Sequence, residues 1–360
     1  MDNFKAVLTE IDSNDCQLSH VIADNPKRAF VRNSLSHGAK YACEYCFAQG
    51  LPLSKTPEIL QKLDILEKQK RTIISGQQQD KEKHLQQINQ TINKLSKSTQ
   101  IVWPKACNGE PRTSQIITEI VQELNDSNNL KDIKGIVGKS PLLDFQTFNY
   151  VHGIPTKYLH SICIGLVKRL LELCFNVGDL HTRITTSKLA TINKFNTAMA
   201  SIKVPREFSR RCRKLDFSVL KAQEFRNILI FYFAIITESF QPQAKERKLW
   251  LLLAFSVRAA IIPEPEFDNH LLALMNQSMQ SFYSLYEALF GAKNCTYTVH
   301  IVANHLSDMR IHGPLTQTSA FDYESFLRRI AQIIRPGHPK PPKTNFSKCH
   351  VKTLPSTPYM

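Results

Sequence analysis

The sequence predicts a mainly α-helical protein with a small α/β portion near its start and a helical hairpin set into the chain. Three observations carry this expectation. From Tyr158 onward apolar residues recur at helical spacing almost without interruption. Between Pro57 and Ser98 they repeat at alternating four-and-three intervals in a background rich in Lys, Gln and Glu. Residues 18–50 instead hold one short apolar run, Val21-Ile22-Ala23, which ends in Asp24 and leads on to a Cys-x-x-Cys turn.

Val21-Ile22-Ala23 reads as a strand, the stretch after Arg28 as a helix, and Cys43-Glu44-Tyr45-Cys46 as a tight knuckle. Ile59, Leu63, Leu66 and Ile73 then form one apolar stripe, and Leu85, Ile88, Ile92 and Leu95 a second. Ser75-Gly76 breaks the register between them, which predicts an antiparallel hairpin protruding from the body rather than one long coiled coil. Residues 101–158 are punctuated by Pro104, Pro111, Gly135, Gly138 and Pro141, so loops are expected around a single helix near Ser114 to Leu124. Helices follow over Leu159 to Phe175, Val219 to Phe240, Lys245 to Ile262, Asp268 to Phe290, Thr298 to His312 and Tyr323 to Ile334. From Arg335 to Met360 repeated Pro and Lys, with no acidic residue, predict a disordered basic tail. The chain thus divides into 1–56, 57–98, 99–334 and 335–360.

A length of 360 residues with 42% hydrophobic composition suffices for a substantial core and excludes a disordered protein. The balance of 46 Lys and Arg against 31 Asp and Glu, a formal charge of +15, favours a polyanionic partner, with nucleic acid ahead of an acidic membrane. The first fifteen residues are acidic and lack the pattern of a signal peptide, so an intracellular location is expected. The most apolar stretches, Asn227 to Ile236 and Leu249 to Ile262, are shorter than the roughly 20 residues a bilayer requires, and the second carries Arg258. No membrane partner and no small-molecule substrate are expected. Nine cysteines, an odd number, argue for free thiols or metal ligands over a disulfide framework.

Cys43 and Cys46 place two thiolates on one turn, which is half of a tetrahedral zinc site. The other half is expected from His160 and Cys163, three apart on a helix, with His37 as a competing fourth ligand. The bland alternative has Cys163 packed as a small hydrophobe and the Cys-x-x-Cys pair without metal. His300 and His305 are five apart and do not share one helix face, so they read as core or capping histidines. Trp103 and Trp250 read as packing residues. Arg206, Arg210, Arg211, Arg213 and Lys214 make five of nine consecutive residues basic, and Lys221 and Arg226 follow at a helix start. Such a cluster suits DNA phosphates, and equally a solvated loop.

Several segments, taken in order, resemble the cut-and-paste DNA transposases of the CACTA (En/Spm) type found in animals. His20-Val-Ile-Ala-Asp24-Asn-Pro-Lys-Arg28 resembles the family's Asp-x-Pro-x-Arg segment, and Ser36-His37-Gly38 through Cys46 its His-x-Gly-Tyr-x-x-Cys-x-x-Cys knuckle. Gly138-Lys-Ser-Pro141 resembles a linking motif, and Ile154-Pro-Thr-Lys-Tyr158-Leu-His160 is similar to a Pro-x-Asp-Tyr-Met-His stretch. Pro205 to Arg210, Lys221 to Arg226, Tyr297-Thr-Val-His300, Gly313-Pro-Leu315 and Ser319 to Glu324 continue the series, which spans about residues 18 to 340 apart from the hairpin.

The resemblance implies an RNase H-like α/β remnant at the start of a helical body. It also implies that Asp24 and Glu324 stand at the second and third positions of a catalytic Asp-Asp-Glu triad. Such triads hold two Mg²⁺ ions, one activating the nucleophile and the other stabilising the leaving oxygen. Two departures point away from catalysis. Only 23 residues precede Asp24, too few for the strands that would carry the first Asp, so the chain reads as N-terminally truncated. Lys157 stands where the family has an Asp. The expectation is therefore a transposase-derived, nuclear, DNA-binding protein without strand-transfer activity, with zinc as its structural ion. The alternatives are a fragment of an active Mg²⁺-dependent DNA transposase, or a coiled-coil interaction module that self-associates through 57–98 on a transposase scaffold.

Overall fold

The computed structural model describes residues 18, 21–23, 25–75, 81–127, 130–145, 147–175, 187–202, 220–319, 321 and 326. The chain divides into two compact units, Met1–Ser319 and Ala320–Met360, and every element below belongs to the first. Asp24, Glu324, Arg206, Arg210, Arg211, Arg213, Lys214 and the tail 335–360 lie outside the described residues.

The described part is mainly helical, and the strand expected at Val21-Ile22-Ala23 is absent from it. Val21 donates a backbone hydrogen bond to Gly153 O at 2.7 Å, but no neighbouring described strand offers a ladder, so the run stays irregular. Helix α1, Asn25–Arg32, follows directly.

The one sheet among the described residues is two residues deep: β1, Leu51–Pro52, pairs antiparallel with β2, Ile101–Val102. Between them the chain leaves and returns as α2, Pro57–Ser75, and α3, Lys81–Ser96. Leu53, Ile59 and Val102 form a buried cluster at the base, and Leu63 and Leu95 pack on it as the predicted stripes require. Beyond that base the stripes are only half-buried, and Leu60, Ile65 and Ile74 are largely exposed. Glu58 fixes the base by accepting from Ala292 N at 3.0 Å, and Gln100 Nε2 donates to Lys293 O at 3.2 Å.

Helix α4, Ser114–Asp126, starts where the Thr113 hydroxyl accepts from Ile116 N at 3.2 Å. Its Ile117, Ile120, Val121 and Leu124 fall on one face and are buried. The body continues as a π-helix, Tyr158–Val167, running into α5, Lys168–Phe175. Then come α6, Ser187–Ser201, α7, Ala222–Ile230, and α8, Phe233–Ser239. The last three are α9, Lys245–Ala260, α10, Asn269–Phe290, and α11, Tyr297–His305.

Two expected helices depart from their periodicity for identifiable reasons. The stretch predicted as one helix from Val219 to Phe240 breaks after Ile230, whose carbonyl accepts from Arg258 Nη1 of α9 at 2.6 Å. The stretch from Leu159 to Phe175 starts as a π-helix, and Gly165 sits at its close approach to α11. A Cβ there would lie 2.8 Å from His160 O and 2.9 Å from Thr298 Cγ2. The core of the body lies between α9 and α10, where Trp250, Leu253 and Val257 are buried with Met275, Met279 and Phe282. Trp103 is fully buried as well. Among the described residues no helix is long and apolar enough to cross a membrane.

Candidate metal centre

The knuckle is held from both sides before any metal is considered. On one side Cys46 forms an antiparallel bridge with Pro111, Phe47 N donates to Glu110 O at 2.8 Å, and Arg112 N donates to Tyr45 O at 2.8 Å. Gly109 permits this approach, since a Cβ there would stand 2.0 Å from Ala48 N. On the other side Glu44, inside the Cys-x-x-Cys turn, accepts from Arg28 Nε at 2.9 and 3.0 Å and meets Arg32 Nη1 at 3.2 Å. Burial alone would raise the Glu44 carboxyl, but Arg28 and Arg32 outweigh it and hold the group below its usual range. Helix α1 is thereby fastened to the turn that carries the thiols.

Against this turn α11 brings two imidazoles. One ligand atom each from Cys43, Cys46, His300 and His305 lies within 4.8 Å of all the others, with the first three side chains buried and His305 half-buried. Cys46 Sγ stands 3.5 Å from His300 Nε2. A tetrahedral zinc ion with Zn–S near 2.3 Å and Zn–N near 2.05 Å sets its sulfur and nitrogen ligands about 3.6 Å apart. The donor set and its spacing fit Zn²⁺.

The surroundings orient both rings. His305 Nδ1 bonds Asp308 Oδ2 at 2.7 Å, and its Nε2 is buried without a hydrogen-bond partner. A carboxylate on one ring nitrogen and an orphaned second nitrogen is the arrangement that metal-ligating histidines adopt. The Asn304 amide lies 3.1 Å from His300 Nδ1. Turned with its oxygen toward an Nδ1–H, that amide leaves Nε2 as the ligand atom. Trp103 packs on the His300 ring at 4.8 Å, and Tyr45 stacks on His305 at 5.0 Å.

Charge in the cluster is already arranged for a cation. The hydrogen bond from Cys43 pulls the Cys46 thiol down, with help from His300 and His305, whereas burial pushes Cys43 well up. Burial would lower His305, but the bond to Asp308 and the neighbouring Cys46 sulfur raise it to about 9. A divalent ion would take the place of these protons. Two thiolates and two imidazoles would supply four protein ligands to such an ion, which is the donor set of a structural zinc site rather than a catalytic one.

The second half of this cluster differs from the sequence expectation. His160 and Cys163 lie on the π-helix and are not among the four, nor is His37. Cys163 is fully buried with its thiol beside Tyr158, and burial pushes it up to about 12. His37 is exposed, with its ring 6.3 Å from Tyr297. The wider π-helical turn removes the three-residue alignment on which the pairing of His160 with Cys163 depended. His300 and His305 meet because His305 is the last residue of α11, where the chain turns into the short 3-10 segment Asp308–Arg310 that supplies its carboxylate partner. Their ring centroids are 5.8 Å apart. The signal in the sequence was the His-x4-His spacing, which falls within the range of zinc-binding histidine pairs.

Of the basic candidates in the described residues, Lys221 is exposed at the start of α7, where its backbone N–H donates to Glu224 at 2.9 Å. Arg226 is half-buried and interacts with Tyr158. Lys157, at the start of the π-helix, is buried. Compared with known proteins, the chain matches no family model, no curated protein and no solved structure.

Proposed function

We propose that this chain is a transposase-derived DNA-binding protein whose body is stapled by a structural zinc ion on Cys43, Cys46, His300 and His305. The observation that carries the metal is the meeting of four soft and borderline donors within 4.8 Å, drawn from a turn and a helix far apart in the chain. The ordered resemblance to CACTA-type transposases and the formal charge of +15 support DNA as the partner and the nucleus as the location. An RNase H-like remnant over 1–56 belongs to the same reading and rests on the resemblance. So do phosphate contacts from Arg206, Arg210, Arg211, Arg213, Lys214, Lys221 and Arg226, whereas Mg²⁺ ligation by Asp24 and Glu324 belongs only to the alternative of a fragment of an active transposase. Two measurements on purified protein test the proposal. Metal analysis should return about one zinc per chain, and duplex DNA should bind with an affinity that falls steeply as salt rises from about 50 to 200 mM. Zinc-loaded protein that leaves DNA free at the lowest salt would remove the DNA-binding half of the reading.

A second reading, self-association through 57–98, is favoured by the charge order of α2. Its first half carries Glu58, Lys62 and Asp64, and its second half Glu67, Lys68, Lys70 and Arg71. Two copies placed antiparallel about a twofold axis set Asp64 of one against Lys70 of the other and bring the exposed Leu60 of one toward Ile74 of the other. Light scattering that returns the mass of a single chain at high concentration rules this out.

A further inference from the structure

Beside the knuckle lies a cavity of about 10 Å³, the space of roughly one water-sized body. Its walls include Arg32, Arg112, Tyr41, Cys43, Glu44 and Tyr150. Arg32 and Arg112 are only 3% and 6% exposed. Arg32 uses Nη2 on the carbonyls of Val151 and Ile154, at 2.9 and 2.8 Å. Its Nη1 approaches Glu44 at 3.2 Å without hydrogen-bond geometry, and its Nε has no partner. Arg112 spends its resolved bonds on neutral carbonyls: Nε on Cys46 O and Nη2 on Tyr41 O and Lys134 O, each at 3.1 Å.

The charges here do not balance. Among the described residues around the cavity, three buried guanidiniums, Arg28, Arg32 and Arg112, face one buried carboxylate. That carboxylate, Glu44, already accepts twice from Arg28. A charge buried without a counter-charge is costly, and an orphaned N–H next to a cavity adds to that cost. A bridging anion relieves both. A water molecule relieves only the second.

We infer that this cavity is a binding site for a small monovalent anion of about chloride size, bridging Arg32 and Arg112. The volume holds one monatomic ion at most, and phosphate- or sulfate-sized anions are too large for it. The cavity shares Cys43 and Glu44 with the knuckle, and an anion there leaves the assignment of the metal ligands unchanged.

Crystals of the wild-type protein soaked in sodium bromide, with data collected at the bromine edge, test the site directly. The expected result is one strong anomalous peak between the Arg32 and Arg112 guanidiniums. A well-ordered water there, with bromide confined to exposed lysines, overturns the proposal. In solution, exchanging gluconate for chloride at constant ionic strength should raise the thermal midpoint of wild-type protein by about 2–4 °C. Equal midpoints overturn it too. Arg112→Gln controls for general salt effects: it lowers both midpoints, and the difference between the two salts should vanish. A difference that persists in Arg112→Gln places the anion elsewhere and also overturns the assignment.

Discussion

Every side chain from Ala42 to Phe47 is buried, whereas in the 19 residues of α2 only Ile59 is. The knuckle is irregular chain, fixed by partners distant in sequence: Arg28, Pro111, Arg112, Thr156 and the α11 histidines. The paired helices 57–96 are regular chain, fixed by their own periodicity and tied to the rest at the base. A short segment with many long-range polar partners is therefore sensitive to single substitutions. A long segment with few is tolerant of them. Mutation separates the two regions along that line.

The largest expected effect is at the ligands. Cys46→Ala or His300→Ala should lower bound zinc from about one per chain to near zero and cost several kcal/mol of stability, read by metal analysis and urea unfolding. Retention of zinc in both variants would show that these residues do not hold it. Next is Glu44→Gln, which leaves Arg28 and Arg32 buried without a counter-charge and should cost about 3–5 kcal/mol in the same unfolding experiment. A cost below about 1 kcal/mol would mean that the pair is far better solvated than its burial indicates.

Smaller effects sharpen the contrast. Asp308→Asn should leave the fold intact and weaken zinc binding roughly 10- to 100-fold, measured by competition with a chromophoric chelator. Zinc affinity should also rise with pH. Metal displaces the His305 proton, held up to about 9, and the Cys43 proton, so each unit of pH below 9 costs about 10- to 100-fold in affinity. A flat profile between pH 6 and 8 contradicts that proton count. Last, Leu60→Ser on the exposed flank of α2 should shift stability by no more than about 0.5 kcal/mol. A loss of several kcal/mol would mean that the face is covered in solution, as self-association requires.

The same division governs what the sequence reveals. Periodicity located the two helices of 57–96, the apolar face of α4 and the α9–α10 pair, because each is a local repeat that burial then uses. It failed where a distant group intervenes. Arg258 ends α7 at Ile230, and the close approach at Gly165 accompanies a π-helix in place of an α-helix. Val21-Ile22-Ala23 has strand composition and no strand beside it in the described residues. For the metal cluster the Cys-x-x-Cys turn was visible in sequence, since both thiols sit on one turn. Its partners showed only as a His-x4-His spacing that a helical wheel places on different faces, and the turn after α11 and the stacking of Tyr45 bring their rings together. Local rules describe the helix, and they omit what the chain does on leaving it.

Cys46 and His300, whose side chains touch in the finished protein, are 254 residues apart. At ribosomal speeds of about 5–20 residues per second, roughly 13–50 s separate the synthesis of one from the other. During that interval the nascent chain presents two neighbouring thiols without the His300 and His305 imidazoles. The cell's zinc buffer, its oxidants and its chaperones all reach Cys43 and Cys46 before α11 does.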